Sequence, residues 1–175
     1  MESPELYTQI IKIFLLLLPM YLTNSSAMLF GGKTPLDFNK KWRDGLPIFG
    51  AGKTWKGSIM GVAIGTASAF LVSFVFPLTV NEMYPSYVLL GFLLALGAIV
   101  GDSIASFFKR RNKIKRGDEV LFLDQLDFVI GGMALGSIIY TPNFYEISAI
   151  AILTLLVHKT SNFLAYRMKL KKVPW

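Results

Sequence analysis

Apolar residues in this chain come in five long runs separated by polar stretches, at about residues 6–29, 58–77, 86–108, 120–140 and 145–166. Each is close to the roughly 20 residues that cross a hydrocarbon core as a helix. The pattern predicts an all-α integral membrane protein, one membrane domain over residues 1–175 with five transmembrane helices. The first run follows an acidic start (Met1, Glu2, Glu5) in place of the basic region of a signal peptide, so it is expected to stay as a membrane helix. Two polar loops, 30–57 and 109–119, are long; the turns at 77–85 and 141–144 are short. Helical periodicity is lost through the Gly-, Pro- and Lys-rich first loop. Gly57, Gly61 and Gly65 fall on one helix face, a ladder that permits close backbone approach to another helix.

Charge sets an orientation on this pattern. The two long loops and the C-terminal tail hold almost all the Lys and Arg, whereas the two short turns hold none. By the positive-inside rule the N-terminus is expected outside, the C-terminus in the cytoplasm, and both long loops on the cytoplasmic face. A net charge of +7 raises nucleic-acid binding. Hydrophobic content of 53% and a mean hydropathy of +0.51, with the basic residues confined to loops between apolar runs, point to topology instead.

Cysteine is absent and His158 is the single histidine, which excludes disulfides, thiolate sites and a histidine cage. A bound divalent cation would need oxygen ligands, favouring Mg²⁺, Mn²⁺ or Ca²⁺. Asp102, Asp124 and Asp127 supply candidates. Counted from the cytoplasmic boundary, all three fall roughly 6 to 10 Å into their helices. Unpaired carboxylates at that depth cost several kcal/mol each, so a shared cation is the expected compensation, with intramembrane salt bridges to Lys159 or loop cations as the alternative. Asp124 and Asp127 share one helix face, and Asp102, Ser106 and Lys109 form another stripe.

Two basic elements adjoin these carboxylates. Lys109, Arg110, Arg111, Lys113, Lys115 and Arg116 place six cations in eight positions, suited to phosphate oxygens or simply to anionic headgroups. Gly50–Ala51–Gly52–Lys53–Thr54 resembles a phosphate-binding glycine loop. Pro47 stands where that loop has its first glycine and no strand is predicted before it, so the expectation is backbone N–H groups plus Lys53 and Thr54 facing phosphate without the P-loop fold. Trp42 and Trp55 alternatively serve as interface anchors. Asn24, Ser25 and Ser26, near the far end of the first run, either bond to neighbouring helices or line the site.

The run Gly101, Asp102, Ser106, Lys109, Arg110, then Lys115, then D-x-x-D at Asp124 and Asp127, resembles the signature of CTP-dependent phosphatidate cytidylyltransferases. Gln125 stands where the bacterial members carry Arg, and their P-G-H-G-G segment is missing. With Asp44–Gly45 and G-x-G-K-T-W-K-G from Gly50 to Gly57, the shorter pattern is similar to the CDP-archaeol synthase family, the archaeal branch, over both loops and the whole length. The resemblance implies transfer of the cytidylyl group of CTP to the phosphate of an unsaturated, ether-linked archaeal lipid (2,3-bis-O-geranylgeranylglycerol phosphate), with Mg²⁺ and release of pyrophosphate. It implies catalysis by Asp102, Asp124, Asp127 and Lys109, with the three carboxylates on the metal. Nucleotide binding would fall to Asp44, Gly45, Gly50, Gly52, Lys53, Thr54, Lys56, Ser106, Arg110 and Lys115. Partners are CTP and a lipid phosphate within the membrane, with no nucleic acid, in a multi-pass cell-membrane protein whose active site faces the cytoplasm.

The rivals are a CTP-dependent polyprenol kinase, a CDP-alcohol phosphatidyltransferase and a small cation transporter. The second lacks its Ala-Arg pair and downstream D-x-x-x-D after Asp44–Gly45; the third predicts carboxylates spread through the membrane depth. On the last run, Lys159 either snorkels to the interface or turns inward toward the lipid phosphate.

Overall fold

The computed structural model describes residues 3–115, 118 and 120–167. They form six helices: α1 (Ser3–Leu29), α2 (Trp55–Val75), α3 (Pro77–Met83), α4 (Tyr87–Arg111), α5 (Leu123–Gly136) and α6 (Phe144–Arg167). Among the described residues there is no strand, only isolated antiparallel bridges pairing Pro35 with Thr54 and Lys41 with Pro47 in the first loop. Among the described residues three segments are long and apolar enough to cross a membrane: Glu5–Leu29, Trp55–Val75 and Tyr87–Arg111.

Helix boundaries depart from the apolar runs where local chemistry overrides hydropathy. α2 starts at Trp55, three residues before the run, because the extended Thr54 caps it: its hydroxyl accepts the N–H of Gly57 at 3.2 Å. Lys56 and Gly57 therefore belong to a first helical turn, not to a loop. α4 continues to Arg111, so Lys109, Arg110 and Arg111 form its last turn, where cations suit the carbonyl-rich end of the helix. The turn at 77–85 contains the two-turn helix α3, entered through Pro77 at its first position. α5 is shorter than its run. Phe122 takes a left-handed φ of +64° that stops the helix on its N-terminal side, and turns follow Gly136.

α4 is the central element, packed most closely on α5 and on α2. Leu90, Leu94 and Ala98 of α4 meet Leu16 and Met20 of α1 and Phe128 of α5 in the buried core. Tyr84 and Tyr87 enter this core, and their hydroxyls donate to Lys12 O at 3.3 Å and Leu15 O at 2.7 Å, which pins the start of α4 to α1. The glycine ladder does what its spacing predicts: a Cβ on Gly57, Gly61 or Gly65 would strike backbone or side-chain atoms of Pro19, Thr23 and Ala27 on α1. A second seam joins α4 to α5. A Cβ on Gly101 would run into Asp127 O and lie 2.9 Å from Gly131 Cα.

Candidate active site

The first loop is organised by an aspartate outside every motif named above. Asp37 is 5% exposed. Its carboxylate accepts backbone N–H groups from Asn39 at 3.0 Å and from Phe49 and Gly50 at 2.9 Å each. Burial raises its carboxyl pKa; the bonds from Gly50, Phe49 and Asn39 lower it by more and leave it below the ordinary aspartate value. These bonds fold residues 37–50 back on themselves, through Phe38 and Asn39 in the left-handed region and a tight turn at Gly45. Asp44 belongs to that turn: it accepts Leu46 N at 3.0 Å and lies 2.8 Å from Arg111 Nε. Arg111 also donates to Pro47 O at 2.5 Å and lies over the Phe107 ring, so the loop is fastened to the end of α4. Gly50, at φ +87°, sits against the side chain of Arg110, whose Nε is buried with no hydrogen-bond partner among the described residues.

Fastening the loop there delivers Lys53 to α4. Its Nζ lies 2.6 Å from Asp102 Oδ1, with both side chains about a fifth exposed (25% and 19%). Thr54 next to it joins three segments, since its hydroxyl accepts Gly32 N from the end of α1 as well as Gly57 N. Two turns further along α4, Lys109 Nζ donates to Asp124 Oδ2 at 2.7 Å and to Asp118 O at 2.6 Å. Asp124 is the second residue of α5 and also accepts Val120 N at 2.9 Å, a local bond that holds the entry to the helix.

Asp127 lies one turn further in, and the Gly101 seam sets its backbone directly against the residue before Asp102. Among the described residues Asp127 makes no ion pair; Phe128 N donates to it at 2.6 Å, and it feels the charges of Asp102, Lys53 and Asp124.

These donors are the hard carboxylate oxygens that magnesium takes. They are not gathered as one ligand set: among the described residues no three acidic or imidazole side chains are grouped to hold an ion. The ammonium groups of Lys53 and Lys109 stand on Asp102 and Asp124, cations already placed where the carboxylates demand positive charge.

A cavity of about 730 Å³ opens beside Lys53 and Asp102. Its polar wall is Gly52, Lys53, Thr54, Asp102 and Ser103; Asn24 and Ser25 of α1 and His158 of α6 add further polar groups. Its apolar wall is Met28, Ile99, Phe128 and Val157. One chamber thus presents both charged and polar groups and hydrocarbon, within the size range of small-molecule sites.

The sequence-based candidates separate on this geometry. Gly52, Lys53, Thr54 and Asp102 line the cavity; Asp127 adjoins Asp102; Asp124 and Lys109 form a pair next to them; Arg110 and Gly50 touch at the rim. Asp44 and Gly45 build the loop turn, Ser106 is half-buried on α4, and Lys56 and Lys115 are exposed. Of the α1 polar trio, Asn24 and Ser25 face the cavity, whereas the Ser26 hydroxyl donates to Leu22 O and Thr23 O of its own helix. Lys159 is exposed and its neighbour His158 lines the cavity instead. Arg116 lies outside the described residues. Sequence reasoning missed Asp37, Ser103 and the Arg111–Asp44 pair. Asp37 did carry a signal, since an aspartate between Leu36 and Phe38 ahead of Asn39 is a side-chain-to-backbone turn former.

Comparison with known proteins places the chain among its relatives. A family model described as CarS-like, CDP-archaeol synthase, matches residues 6–175. The CDP-archaeol synthase of Pyrococcus furiosus is 42% identical over 169 residues, covering 95% of this chain and 98% of its own. That of Archaeoglobus fulgidus is 43% identical over 176 residues with the same coverage of both, and that of Methanocaldococcus jannaschii is 39% identical over 165 residues. A solved structure of an intramembrane enzyme for archaeal membrane lipid biosynthesis superposes with a TM-score of 0.77 at 33% identity, covering 85% of this chain and 91% of that one.

Proposed function

The chain belongs to the CDP-archaeol synthase family, and from that membership we propose how its residues carry out the family's reaction. It is a membrane enzyme of archaeal lipid biosynthesis that joins the cytidylyl group of CTP to a lipid phosphate. The observation that supports the site assignment is the mixed lining of one cavity, where Lys53, Thr54 and Asp102 share the space with Met28, Ile99, Phe128 and Val157. Nucleotide triphosphate belongs with the polar groups and the isoprenoid end of the lipid with the apolar ones.

The reaction forms a bond between a lipid phosphate oxygen and the α-phosphorus of CTP and breaks the bond from that phosphorus to the bridging oxygen, with pyrophosphate leaving. The attacking phosphate is already an anion near neutral pH, so no strong base is required of the protein. Its task is placement and charge. The N–H groups around Gly52 and the ammonium of Lys53 hold the triphosphate, with the unpartnered Arg110 Nε and Gly50 at the rim beside it. Lys109 secures Asp124 and the entry to α5, and the Gly101 seam positions Asp127. Asp102 and Asp127, with Asp124 beside them, would hold magnesium, which supplies positive charge to phosphate oxygens when bound.

We assign the basic end of the bundle to the cytoplasm. The loop from 30 to 54 and the last turn of α4 concentrate Lys and Arg there, while α3 at the opposite end holds Glu82 and no cation. The five-span reading includes α5, whose 14 residues rise about 21 Å, short of a roughly 30 Å core, so flanking turns must complete the crossing in contact with protein. Purified protein in detergent with labelled CTP, Mg²⁺ and an unsaturated ether-lipid phosphate tests the reaction. Pyrophosphate and a CDP-lipid are the expected products; in a parallel reaction with a polyprenol in place of the lipid phosphate, CDP and polyprenyl phosphate would establish the kinase.

A further inference from the structure

Two lysines stand on carboxylates proposed to take a divalent cation, and they are not held alike. Lys109 Nζ has two acceptors, Asp124 Oδ2 at 2.7 Å and Asp118 O at 2.6 Å, and so clamps the segment that leads into α5. Lys53 Nζ has one among the described residues, Asp102 Oδ1 at 2.6 Å. Its backbone is fixed, since Lys53 O accepts Leu36 N at 2.7 Å and Lys53 N donates to Gly50 O at 3.3 Å. Its side chain is four flexible methylenes ending at the cavity wall. A rigid base, a mobile arm and a single tether are the properties of a group that can change partners.

We propose that Lys53 is the resident counter-ion of Asp102, supplying at Oδ1 the positive charge that a divalent cation would bring, and that it swings onto the nucleotide phosphates when metal arrives. The inference rests on the assignment of Asp102 to the metal made above. An ammonium at 2.6 Å from Asp102 Oδ1 and a divalent cation on the same carboxylate repel each other at that range, so metal binding weakens the hold of Asp102 on Lys53. Displacing the ammonium into an apolar-walled cavity would strand a charge. Polyphosphate beside Gly52 and Thr54 gives it a second anionic partner within the reach of its own side chain. Metal and nucleotide therefore assist one another through this lysine, and each pays a penalty when it binds alone.

This gives Lys53 opposite effects on the two ligands, which a lysine that only binds phosphate, or only neutralises Asp102 structurally, would not have. Mn²⁺ binding to nucleotide-free protein in detergent is read from loss of the free-ion electron paramagnetic resonance signal. CTP binding is read by equilibrium dialysis in chelator. Lys53→Met should tighten Mn²⁺ about tenfold and weaken CTP about tenfold, both one-residue electrostatic effects of ordinary size. Lys53→Arg keeps a cation on Asp102 and should leave Mn²⁺ affinity at the wild-type value. Lys40→Met, an exposed site that removes the same net charge, should change neither. The Arg variant keeps the test readable if Lys53→Met proves too unstable to purify. In that event, Mn²⁺ binding by Lys53→Arg tighter than wild type overturns the exchange, and equal binding upholds it.

Unchanged or weaker Mn²⁺ binding in Lys53→Met, with binding abolished by Asp102→Asn, overturns the exchange and leaves the metal site standing. Mn²⁺ binding that survives Asp102→Asn unchanged overturns the metal assignment of Asp102, and the exchange falls with it.

Discussion

Gly101→Ala tests whether the α4–α5 seam positions the carboxylates. The added Cβ would overlap Asp127 O and lie 2.9 Å from Gly131 Cα and 3.0 Å from Gly131 N, all backbone atoms with no rotamer to yield. Bringing the 2.9 Å contact to an ordinary 3.4 Å parts the helices by at least 0.5 Å, and by more at Asp127. Overpacking of this kind costs about 1–3 kcal/mol, and rigid backbone on both sides places it at the upper end. Alanine returns about 1 kcal/mol of helix propensity, so the net loss is about 2 kcal/mol.

Gly136→Ala on α5 is the internal control. Its Cβ meets Leu94 Cδ2 at 2.8 Å, the far end of a side chain that can turn away, so the propensity gain survives and stability holds or rises. Thermal unfolding in detergent, with the rate of label transfer from CTP to lipid, reads both variants. Gly101→Ala should melt lower and turn over at least about tenfold more slowly, since a misplacement approaching 1 Å costs up to about 100-fold. Gly136→Ala should match wild type in rate. Wild-type turnover in Gly101→Ala with an unchanged or higher melting temperature would refute the positioning argument.

Asparagine at Asp102, Asp124 or Asp127 keeps shape and removes charge, so each should lower turnover by roughly 100-fold or more, and added Mg²⁺ should not restore it; full activity in all three removes the carboxylates from the chemistry. Lys159→Met should leave the KM for lipid phosphate unchanged if the exposed lysine only snorkels, whereas His158→Phe, on the cavity wall, should raise it several-fold with CTP binding nearly intact; a raised KM in Lys159→Met alone would return the lipid phosphate to that residue. Asp37→Asn should destabilise the first loop by about 2–3 kcal/mol near neutral pH, because charge-assisted bonds from three N–H groups are weakened. The folded carboxyl is held below its unfolded value of about 3.9, so this stability is complete above that value and is lost as pH falls through the folded pKa; proteolysis of the loop measured against pH should show wild type converging on Asp37→Asn only in acid, and convergence at neutral pH would contradict the clamp.

Hydropathy made the long helices legible, because burial in lipid and in a helical core both demand apolar runs of a fixed length. It misplaced their ends, because ends are decided by single groups: the Thr54 hydroxyl, the left-handed Phe122, Pro77 at the start of α3. The residue types of the site were legible from charge set inside apolar surroundings. Their pairing was not. That Lys53 reaches Asp102 and not a neighbouring carboxylate depends on how residues 37–50 fold back, and this is fixed by three hydrogen bonds to Asp37 and by Arg111 reaching Asp44 across more than sixty positions of chain. Shared depth suggested one cluster of Asp102, Asp124 and Asp127, yet depth leaves the angle about each helix axis open. That angle sets Asp124 toward Lys109 and the α5 entry, and sets Asp127 on the seam with α4.

The charge balance of the site explains why lysines and carboxylates are interleaved at this bundle end in place of a compact acidic pocket. Three aspartates with Lys53 and Lys109 on two of them sum to −3 + 2 = −1. The two ammonium groups spare Asp102 and Asp124 the several kcal/mol that an unpaired charge costs near hydrocarbon, and leave Asp127 as the carboxylate of the three without an ion pair among the described residues. A preformed pocket of three bare carboxylates would carry that cost in every molecule that had not yet met its metal, and it would repel the nucleotide. Borrowed ammonium groups remove both penalties, and they are the same groups the triphosphate needs. The cost moves into binding, where each ligand must displace or recruit a lysine, and a reaction whose nucleophile is already anionic loses little by it. What such a site demands is a fixed carboxylate frame and a lysine that can move: the Gly101 seam and the Lys109 clamp serve the first, and the bond of Lys53 to Asp102 alone serves the second.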